Sequence, residues 1–301
     1  MPTPRVNPDL AELLLSWELA LRAERKSPAT LRVYVGGARH FLGWCQRTGA
    51  PARLDRATVT AYIADLLDHG AEGNSAKIRQ QALRRFAAWL VEEGELDADP
   101  LAGLKPPRVD NKVTPVLSGQ QLRALLAACQ GPTFLHRRDE ALVRLMAETG
   151  LRAGEAVALA VEDVDVRAGT ATVRRGKGGK GRMVPFGPQT ARALDRYLRL
   201  RRTHRLAATP ALWLGARSKT LGYSGLHQAL GIRAAQAGIV GFHPHVLRHT
   251  AAHRWLAAGG TEGGLMAVAG LSRRDMLDRY AAATAAERAA DEARRLGFGD
   301  L

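Results

Sequence analysis

The stretch Thr170-Ala-Thr-Val-Arg-Arg-Gly-Lys-Gly-Gly-Lys-Gly-Arg-Met-Val-Pro-Phe186 predicts two short strands joined by a glycine-rich loop. The strands are expected over 170–174 and 182–186, and the loop between them carries two lysines. Both a solvated turn and a flexible tip that presents ammonium groups to a phosphate fit this loop. A nucleotide-binding P-loop does not fit, because a strand follows the lysines where a Ser or Thr should open a helix.

Outside this hairpin, apolar residues recur at helical spacing. Four helices are predicted in the first hundred residues, opening near Asp9, Ser27, Thr58 and Asn74. Their short connections favour a four-helix unit over residues 1–104. The segment 105–112, Lys-Pro-Pro-Arg-Val-Asp-Asn-Lys, breaks the periodicity and is predicted to be a linker.

The remaining residues, 113–301, predict a second domain of helices around the hairpin. Its helices are expected over 119–128, 138–148, 153–159, 188–205, 224–237, 245–258, 262–269, 273–280 and 285–296. The first of them follows Ser118, a typical capping residue. The predicted fold class is therefore mainly α with a small β-sheet, in which a helical domain precedes a mixed α/β domain.

Length and composition limit the classes of protein to which the chain can belong. Its 301 residues suffice for two domains, and 46% of them are hydrophobic, which is enough to build a core. No run of about 18 apolar residues predicts a membrane span, and the N-terminus lacks the apolar segment of a signal peptide. Two cysteines, Cys45 and Cys129, are too few for a disulfide scaffold or a cysteine zinc site. We expect a reducing, cytoplasmic location without membrane attachment.

Basic residues outnumber acidic residues by 44 to 29, which gives a formal net charge of +15. Residues 111–301 carry +14 of this excess, and residues 1–110 carry only +1. A basic excess favours a polyanionic partner, because each phosphate that a protein neutralises releases condensed counterions. Codon bias toward arginine is an alternative cause, but it would raise the charge of both parts. Nucleic acid is therefore the expected partner.

Three histidines lie close together in His243-Pro-His245-Val-Leu-Arg248-His249. His245 and His249 share a helix face at i, i+4, as in some zinc sites. No Asp, Glu or Cys nearby completes the ligand set, and Arg248 adds a positive charge, so no metal is expected. His245 and Arg248 also share a face, and they pair a proton-transfer group with a guanidinium fork that suits phosphate. A capping histidine beside a surface arginine is the plain structural alternative.

Arg152 and Tyr280 indicate a function only when they are considered together with these motifs. Arg152 follows Thr149-Gly-Leu and precedes the helix of Glu155, where an arginine and free backbone N–H groups can hold an anion. Taken alone, Arg152 is a surface charge and Tyr280 a packed aromatic residue.

In their order along the chain, these signals resemble the tyrosine recombinase (phage integrase) family. That family's signature is an arginine, a hairpin lysine, His-x-x-Arg, a His or Trp, and a tyrosine. The matching segments are Thr149-Gly-Leu-Arg152-Ala-Gly-Glu155, Arg175-Gly-Lys177-Gly-Gly-Lys180-Gly-Arg182, His245-Val-Leu-Arg248-His-Thr250 and Ala269-Gly-Leu-Ser272, with Tyr280 beyond them. The resemblance extends over essentially the whole chain and implies a core-binding domain in 1–104 and a catalytic domain in 113–301.

The resemblance implies a role for each matching residue in breaking a phosphodiester bond. Tyr280 would attack the scissile phosphate, form a 3′-phosphotyrosyl link and release a 5′-hydroxyl. Arg152 and Arg248 would clamp the transition state. Lys177 would protonate the leaving oxygen, and His245 would assist proton movement. Neither a metal ion nor another cofactor is implied, because the arginines meet the transition-state charge and the covalent link conserves the bond energy.

One position departs from the family pattern. Where the family has a His or Trp nine residues before the tyrosine, this chain has Leu271. Leucine supplies packing but no hydrogen-bond donor, so we expect a slow but competent enzyme that Leu271→His or Leu271→Trp accelerates. Basic residues close to the motifs are also predicted to contact DNA: Lys180, Arg182, Arg273 and Arg274.

The function implied by the resemblance is site-specific recombination of double-stranded DNA at paired recombination sites by a tetramer. The chain starts directly with the core-binding helices, so a compact, Xer-like form without an arm-binding domain is expected. Two alternatives stay open. One is a type IB topoisomerase-like nicking-closing enzyme, and the other is a DNA-binding protein of this fold that no longer cleaves, for which Leu271 is the only indication.

Overall fold

The computed structural model describes residues 9–109, 115–174, 181–216, 219–271 and 285–297. The chain divides into two units, Met1–Lys112 and Val113–Leu301. This division falls at the end of the segment 105–112. The domain boundaries drawn from the sequence and the linker role of that segment remain predictions.

In the first unit, the described residues form α1 (Leu10–Ala23), α2 (Pro28–Thr48), α3 (Arg56–Asp68) and α4 (Gly73–Glu92). Three of these helices begin at a side-chain cap, since Asp9, Ser27 and Asp55 each accept a hydrogen bond from a first-turn backbone N–H. The apolar faces meet in one core, where the rings of Trp17 and Phe86 stack 4.8 Å apart. The prediction of a four-helix unit is confirmed.

In the second unit, the described helices are α5 (Gly119–Ala128), α6 (Phe134–Thr149), α7 (Ala153–Val157), α8 (Pro188–Arg201), α9 (Tyr223–Gln236), α10 (His245–Ala257), α11 (Glu262–Ala269) and α12 (Ala285–Leu296). None of the helices in the described part of the chain is long and apolar enough to cross a membrane. The predicted helix over 273–280 lies outside the described residues.

A three-stranded antiparallel sheet separates α7 from α8 along the chain. A 3₁₀ turn leads into β1 (Val164–Asp165), and β2 (Thr170–Val173) and β3 (Arg182–Pro185) follow in the order β1-β2-β3. Ala171 pairs with Val184, and both side chains are buried in the main core. The predicted fold class, mainly α with a small sheet, is confirmed. The two-residue β1 was not predicted, because so short a strand shows no alternation.

Two helices of the second unit, α6 and α8, differ from their predicted bounds by about one turn. α6 begins at Phe134, about one turn early, because Thr133 caps it by accepting the His136 backbone N–H. α8 ends at Arg201 rather than at 205, because the chain turns back there and the buried Arg201 guanidinium donates to carbonyls within the segment 207–212.

Two apolar clusters in the second unit position the site. The larger one surrounds α6, which is buried along most of its length. A smaller one lies between α10 and α11 and consists of Ala252, Leu256, Leu265, Ala269 and Leu271. Because α11 packs against both α10 and β3, its C-terminal end lies beside elements that carry the predicted site residues.

Candidate active site

Arg152 stands at the N-terminus of α7, directly after the turn that ends α6. Gly150 makes this turn with φ of 66°, in the left-handed region that favours glycine. Glu155, in the first turn of α7, accepts the Arg152 backbone N–H at 2.9 Å and its Nη1 at 2.8 Å. The Arg152 side chain remains 23% exposed. Its guanidinium is therefore fixed by Glu155 and still accessible from solvent.

Arg248 lies in the first turn of α10, three residues after His245, and is only 1% exposed. Its Nη1 donates to two carbonyl oxygens, those of Gly150 and Ala269, at 2.7 Å each. This arginine therefore joins the turn before Arg152 to the C-terminal end of α11.

Three successive carbonyls at the end of α11 each accept a hydrogen bond from a different arginine, and we call them the α11 carbonyl cluster. The pairs are Arg182 Nε with Val268 (2.8 Å), Arg248 Nη1 with Ala269 (2.7 Å) and Arg152 Nη2 with Gly270 (3.0 Å). The last carbonyls of a helix lack intrahelical donors and carry the negative end of the helix dipole, so cationic donors stabilise them. Arginines from α7, β3 and α10 therefore converge on one point.

Glu155 is a buried carboxylate between two of these arginines. Arg182 donates Nη1 to Oε1 at 3.1 Å and Nη2 to Oε2 at 2.7 Å, while Arg152 donates its own Nη1 to Oε1 and its backbone N–H to Oε2. Burial alone would raise the pKa of Glu155, but the hydrogen bonds and positive charges of Arg182 and Arg152 outweigh it and lower the pKa to about 2. Glu155 is therefore ionised at neutral pH and partly balances the arginines.

His245 is the first residue of α10, and its ring meets that of His249 edge-on with centroids 4.5 Å apart. The residue is solvent-accessible, yet partial burial of the imidazole lowers its pKa, and the charges of Arg248, His243 and Arg152 lower it further. The neutral imidazole, which has one donor and one acceptor nitrogen, is therefore the main form at neutral pH. Within the residues that the structure describes, no group of three His, Cys, Asp or Glu side chains is arranged to hold a metal ion.

Leu271 directly follows the carbonyl cluster and is 5% exposed. It belongs to the small apolar cluster of α10 and α11, so it supplies packing at this position.

Several predicted site residues lie outside the described residues: Lys177, Lys180, Arg273, Arg274 and Tyr280. Arg182, which the sequence predicts as a DNA contact, directs its guanidinium at Glu155 and Val268 and is 11% exposed. Its contact with DNA remains a prediction.

A basic face in the first unit was not predicted from the sequence. Lys77, Gln81, Arg84 and Arg85 are all exposed on α4 at spacings of four, three and one, and we call them the α4 basic stripe. The near-neutral charge of residues 1–110 concealed this stripe, although its helical spacing is visible in the sequence. Such a stripe suits the phosphate backbone of a nucleic acid.

Comparison with known proteins finds matches in both units. The Phage integrase family profile matches residues 115–287, and the profile of the phage integrase N-terminal SAM-like domain matches residues 14–94. Tyrosine recombinase XerC of Pseudomonas fluorescens is 34% identical over 241 residues, which are 78% of this chain and 79% of that protein.

Solved structures agree with these matches. The crystal structure of XerA recombinase has a TM-score of 0.52 and 26% identity, with 90% of this chain and 93% of that chain covered. A lambda integrase tetramer bound to a Holliday junction shares the fold, with a TM-score of 0.68, 17% identity, and 89% of this chain and 80% of that chain covered. With its helical N-terminal unit and the arginines gathered at the end of α11, the chain belongs to the phage integrase family and is a tyrosine site-specific recombinase.

Proposed function

We propose that Tyr280 breaks and rejoins duplex DNA at specific recombination sites through a 3′-phosphotyrosyl intermediate, assisted by Arg152, Arg248, His245 and Lys177. The observation that carries this assignment is the convergence of Arg152 and Arg248 on the α11 carbonyl cluster. The chain continues from that cluster to Tyr280 within ten residues. Nucleophile and charge-stabilising groups thus belong to one short stretch of chain and its direct partners.

The two arginines stabilise negative charge on the scissile phosphate. Arg152 and Arg248 already direct N–H groups at oxygens with partial negative charge. A phosphate oxygen is a stronger acceptor, so we propose that it takes donors from both guanidiniums when DNA binds. Donors held in place before the reaction need no reorganisation, and the loss of one costs about 3–4 kcal/mol of transition-state stabilisation.

Proton transfer falls to His245 and Lys177. A neutral imidazole accepts a proton or donates a hydrogen bond, and the lowered pKa of His245 keeps this form abundant at neutral pH. We propose that His245 acts on the tyrosine or phosphate side, whereas Lys177 protonates the leaving 5′ oxygen. A neutral His245 also limits the positive charge that Arg152 and Arg248 place together.

Recombination joins two sites, and we propose that four copies of the chain act together on them. The shared fold with lambda integrase, which was solved as a tetramer on a Holliday junction, supports this assembly. The α4 basic stripe supports a contact between the first unit and the DNA backbone. We place the reaction in the cytoplasm, where the buried thiols of Cys45 and Cys129 stay reduced.

Trapping of a covalent adduct tests the assignment. Duplexes are enriched from a random library by binding to the chain, and a nick is then introduced at each position in turn. In EDTA, the wild-type chain is expected to form an SDS-resistant adduct, and Tyr280→Phe is expected to form none while its affinity stays within about twofold. The small effect on affinity follows because one hydroxyl contributes little to a surface of many phosphate contacts.

Tyr223→Phe is the matched control, because Tyr223 is a 56% exposed tyrosine of α9. It should form as much adduct as the wild type. An adduct on Tyr280→Phe would exclude Tyr280 as nucleophile. Adducts on every duplex regardless of sequence would indicate a topoisomerase-like enzyme, and no wild-type adduct on any duplex would indicate a DNA-binding protein without cleavage.

A further inference from the structure

Arg182, the first residue of β3, engages all three nitrogens of its guanidinium inside the protein. Nη1 and Nη2 bind the two oxygens of Glu155 at 3.1 and 2.7 Å, and Nε donates to the Val268 carbonyl at 2.8 Å. A bidentate ion pair of this kind fixes the plane of the guanidinium as well as its distance from the carboxylate. Because the side chain is only 11% exposed, water competes little for these bonds.

Gly270 lies very close to the Arg182 guanidinium. A Cβ at Gly270 would lie 2.8 Å from Cζ and from Nη1 of Arg182, closer than side-chain atoms normally approach. To swing aside, the guanidinium would have to give up its hydrogen bonds to Glu155 and Val268. Gly270 also has φ of 61°, so the end of α11 is shaped to accept Arg182 at this distance.

We infer that Arg182 is a positioning residue for DNA cleavage, which fixes Arg152 through Glu155 and the end of α11 through the Val268 carbonyl. The inference rests on the roles proposed above for Arg152 and Tyr280. Arg182 also begins the strand that directly follows the loop of Lys177. One side chain therefore connects the partner of Arg152 with the end of α11, and in sequence it follows Lys177 by five residues.

A direct DNA contact is the competing role for Arg182. A phosphate would have to draw Arg182 away from a buried carboxylate, and an uncompensated Glu155 would be costly. Arg152, with 23% of its side chain exposed, is the more accessible partner for DNA. The two roles predict different results, because a phosphate contact contributes to affinity and its salt dependence, whereas a positioning residue contributes to the rate of the bound complex.

Hydrogen–deuterium exchange on the full chain without DNA tests the first half of the inference. Arg182→Gln is expected to speed exchange in the peptide around 265–271, where the Leu271 N–H bonds to the Met266 carbonyl. Arg174→Gln is the control, because Arg174 is 59% exposed at the end of β2 and pairs with Glu162 and Asp163 instead. Unchanged exchange in Arg182→Gln would overturn the inference.

Single-turnover cleavage on the enriched nicked duplex tests the second half. Arg182→Gln should lower the rate of the bound complex by about 100-fold, since small misplacements of catalytic groups have effects of this size. Affinity should stay within about twofold, and its salt dependence should not change. Arg182→Lys should give an intermediate rate, because an ammonium pairs with Glu155 but does not reproduce the planar fork. An unchanged rate with a salt slope lower by about one would make Arg182 a DNA contact instead.

A glycine pair covers the case in which Arg182→Gln does not fold. Gly270→Ala places a methyl group against the Arg182 guanidinium, whereas Gly259→Ala has a similar positive φ, 80°, with open space around it. Slower cleavage in Gly270→Ala than in Gly259→Ala is expected, and equal rates would contradict the inference. If the wild type forms no Tyr280-dependent adduct, the proposed function fails, and the exchange experiment still decides whether Arg182 fixes the end of α11.

Discussion

Arg152, Arg182 and Arg248 direct their donors at the end of another element while no DNA is present. A buried guanidinium without acceptors would destabilise the fold by several kcal/mol, and helix-end carbonyls without donors would add to that cost. The α11 carbonyl cluster satisfies both sets of groups at once. In the proposed reaction, phosphate exchanges for the carbonyl acceptors of Arg152 and Arg248, which are already ordered before DNA arrives, while Arg182 keeps its bonds to Glu155 and Val268.

The stabilisation that Glu155 gains from Arg152 and Arg182 can be measured directly. Glu155→Gln is expected to lower the free energy of unfolding at pH 7 by about 3 kcal/mol, because the pKa falls from 4.5 to about 2 on folding and each pKa unit corresponds to about 1.4 kcal/mol. A pKa that is lower in the folded state means that the unfolded chain takes up the proton first as the pH falls. The stabilisation is therefore complete above about pH 5 and is lost toward pH 2.

Urea unfolding at pH 7, 5 and 3 checks this prediction. The wild type should lose more stability than Glu155→Gln between pH 5 and 3. Asp195→Asn is the control, since Asp195 is 55% exposed and pairs with Arg199 on the surface, where such pairs contribute less than about 1 kcal/mol. Parallel pH dependences in the wild type and Glu155→Gln would refute the assigned pKa.

At the scale of elements, the sequence predicts best what depends on neighbouring residues. Ser27 and Ser118 mark helix starts because a cap acts within its own turn, and the hairpin is visible in its glycine loop. Thr133 also caps a helix within its own turn, but the helical spacing of apolar residues alone did not reveal that α6 begins there.

The site was predictable only in part. Its residues follow from motif order, but their partners do not. Arg182 and Val268 are 86 positions apart, Arg152 and Gly270 are 118 apart, and the acceptors are backbone carbonyls, which leave no mark in the sequence. From the sequence, Glu155 resembles only a local helix-capping residue, and its pairing with Arg182 becomes visible only in the fold.

Thr250 shows how an element that carries site residues is held in place. Its buried hydroxyl donates to the Val246 carbonyl at 2.8 Å and accepts the Leu117 backbone N–H at 2.9 Å, which ties α10 to the segment before α5. Thr250→Val keeps the shape but leaves the Leu117 N–H without its acceptor, so the free energy of unfolding should fall by about 1–3 kcal/mol.

Chemical denaturation of the folded chain measures this effect. Thr203→Val is the matched control, since its hydroxyl bonds to the Leu200 carbonyl at an exposed site after α8. A change within about 0.5 kcal/mol is expected there. A Thr250→Val chain as stable as the Thr203→Val chain would show that the hydroxyl does not anchor α10.

At the scale of the whole molecule, net charge and the placement of charge assign DNA binding to different units. Residues 111–301 carry +14 of the +15, which predicts that most of the salt dependence of DNA binding arises there. The α4 basic stripe, however, concentrates Lys77, Arg84 and Arg85 on one face of a nearly neutral unit. Affinity depends on the phosphates that are actually contacted, so the stripe should contribute more than the net charge of its unit indicates.

A pair of triple variants separates placement from net charge in the full chain. Lys77→Gln, Arg84→Gln and Arg85→Gln together remove the stripe. Arg22→Gln, Lys26→Gln and Arg39→Gln remove the same charge from residues that already pair with Glu18 or Glu24. Binding of a random duplex of about 30 base pairs is measured between about 50 and 200 mM salt, where log affinity falls with log salt in proportion to the phosphates neutralised.

The stripe variant should lower the slope of this salt dependence by up to about three, and the control variant should lower it by less than about one. Equal losses would mean that net charge alone governs binding. No loss in the stripe variant would assign the salt dependence to residues 111–301.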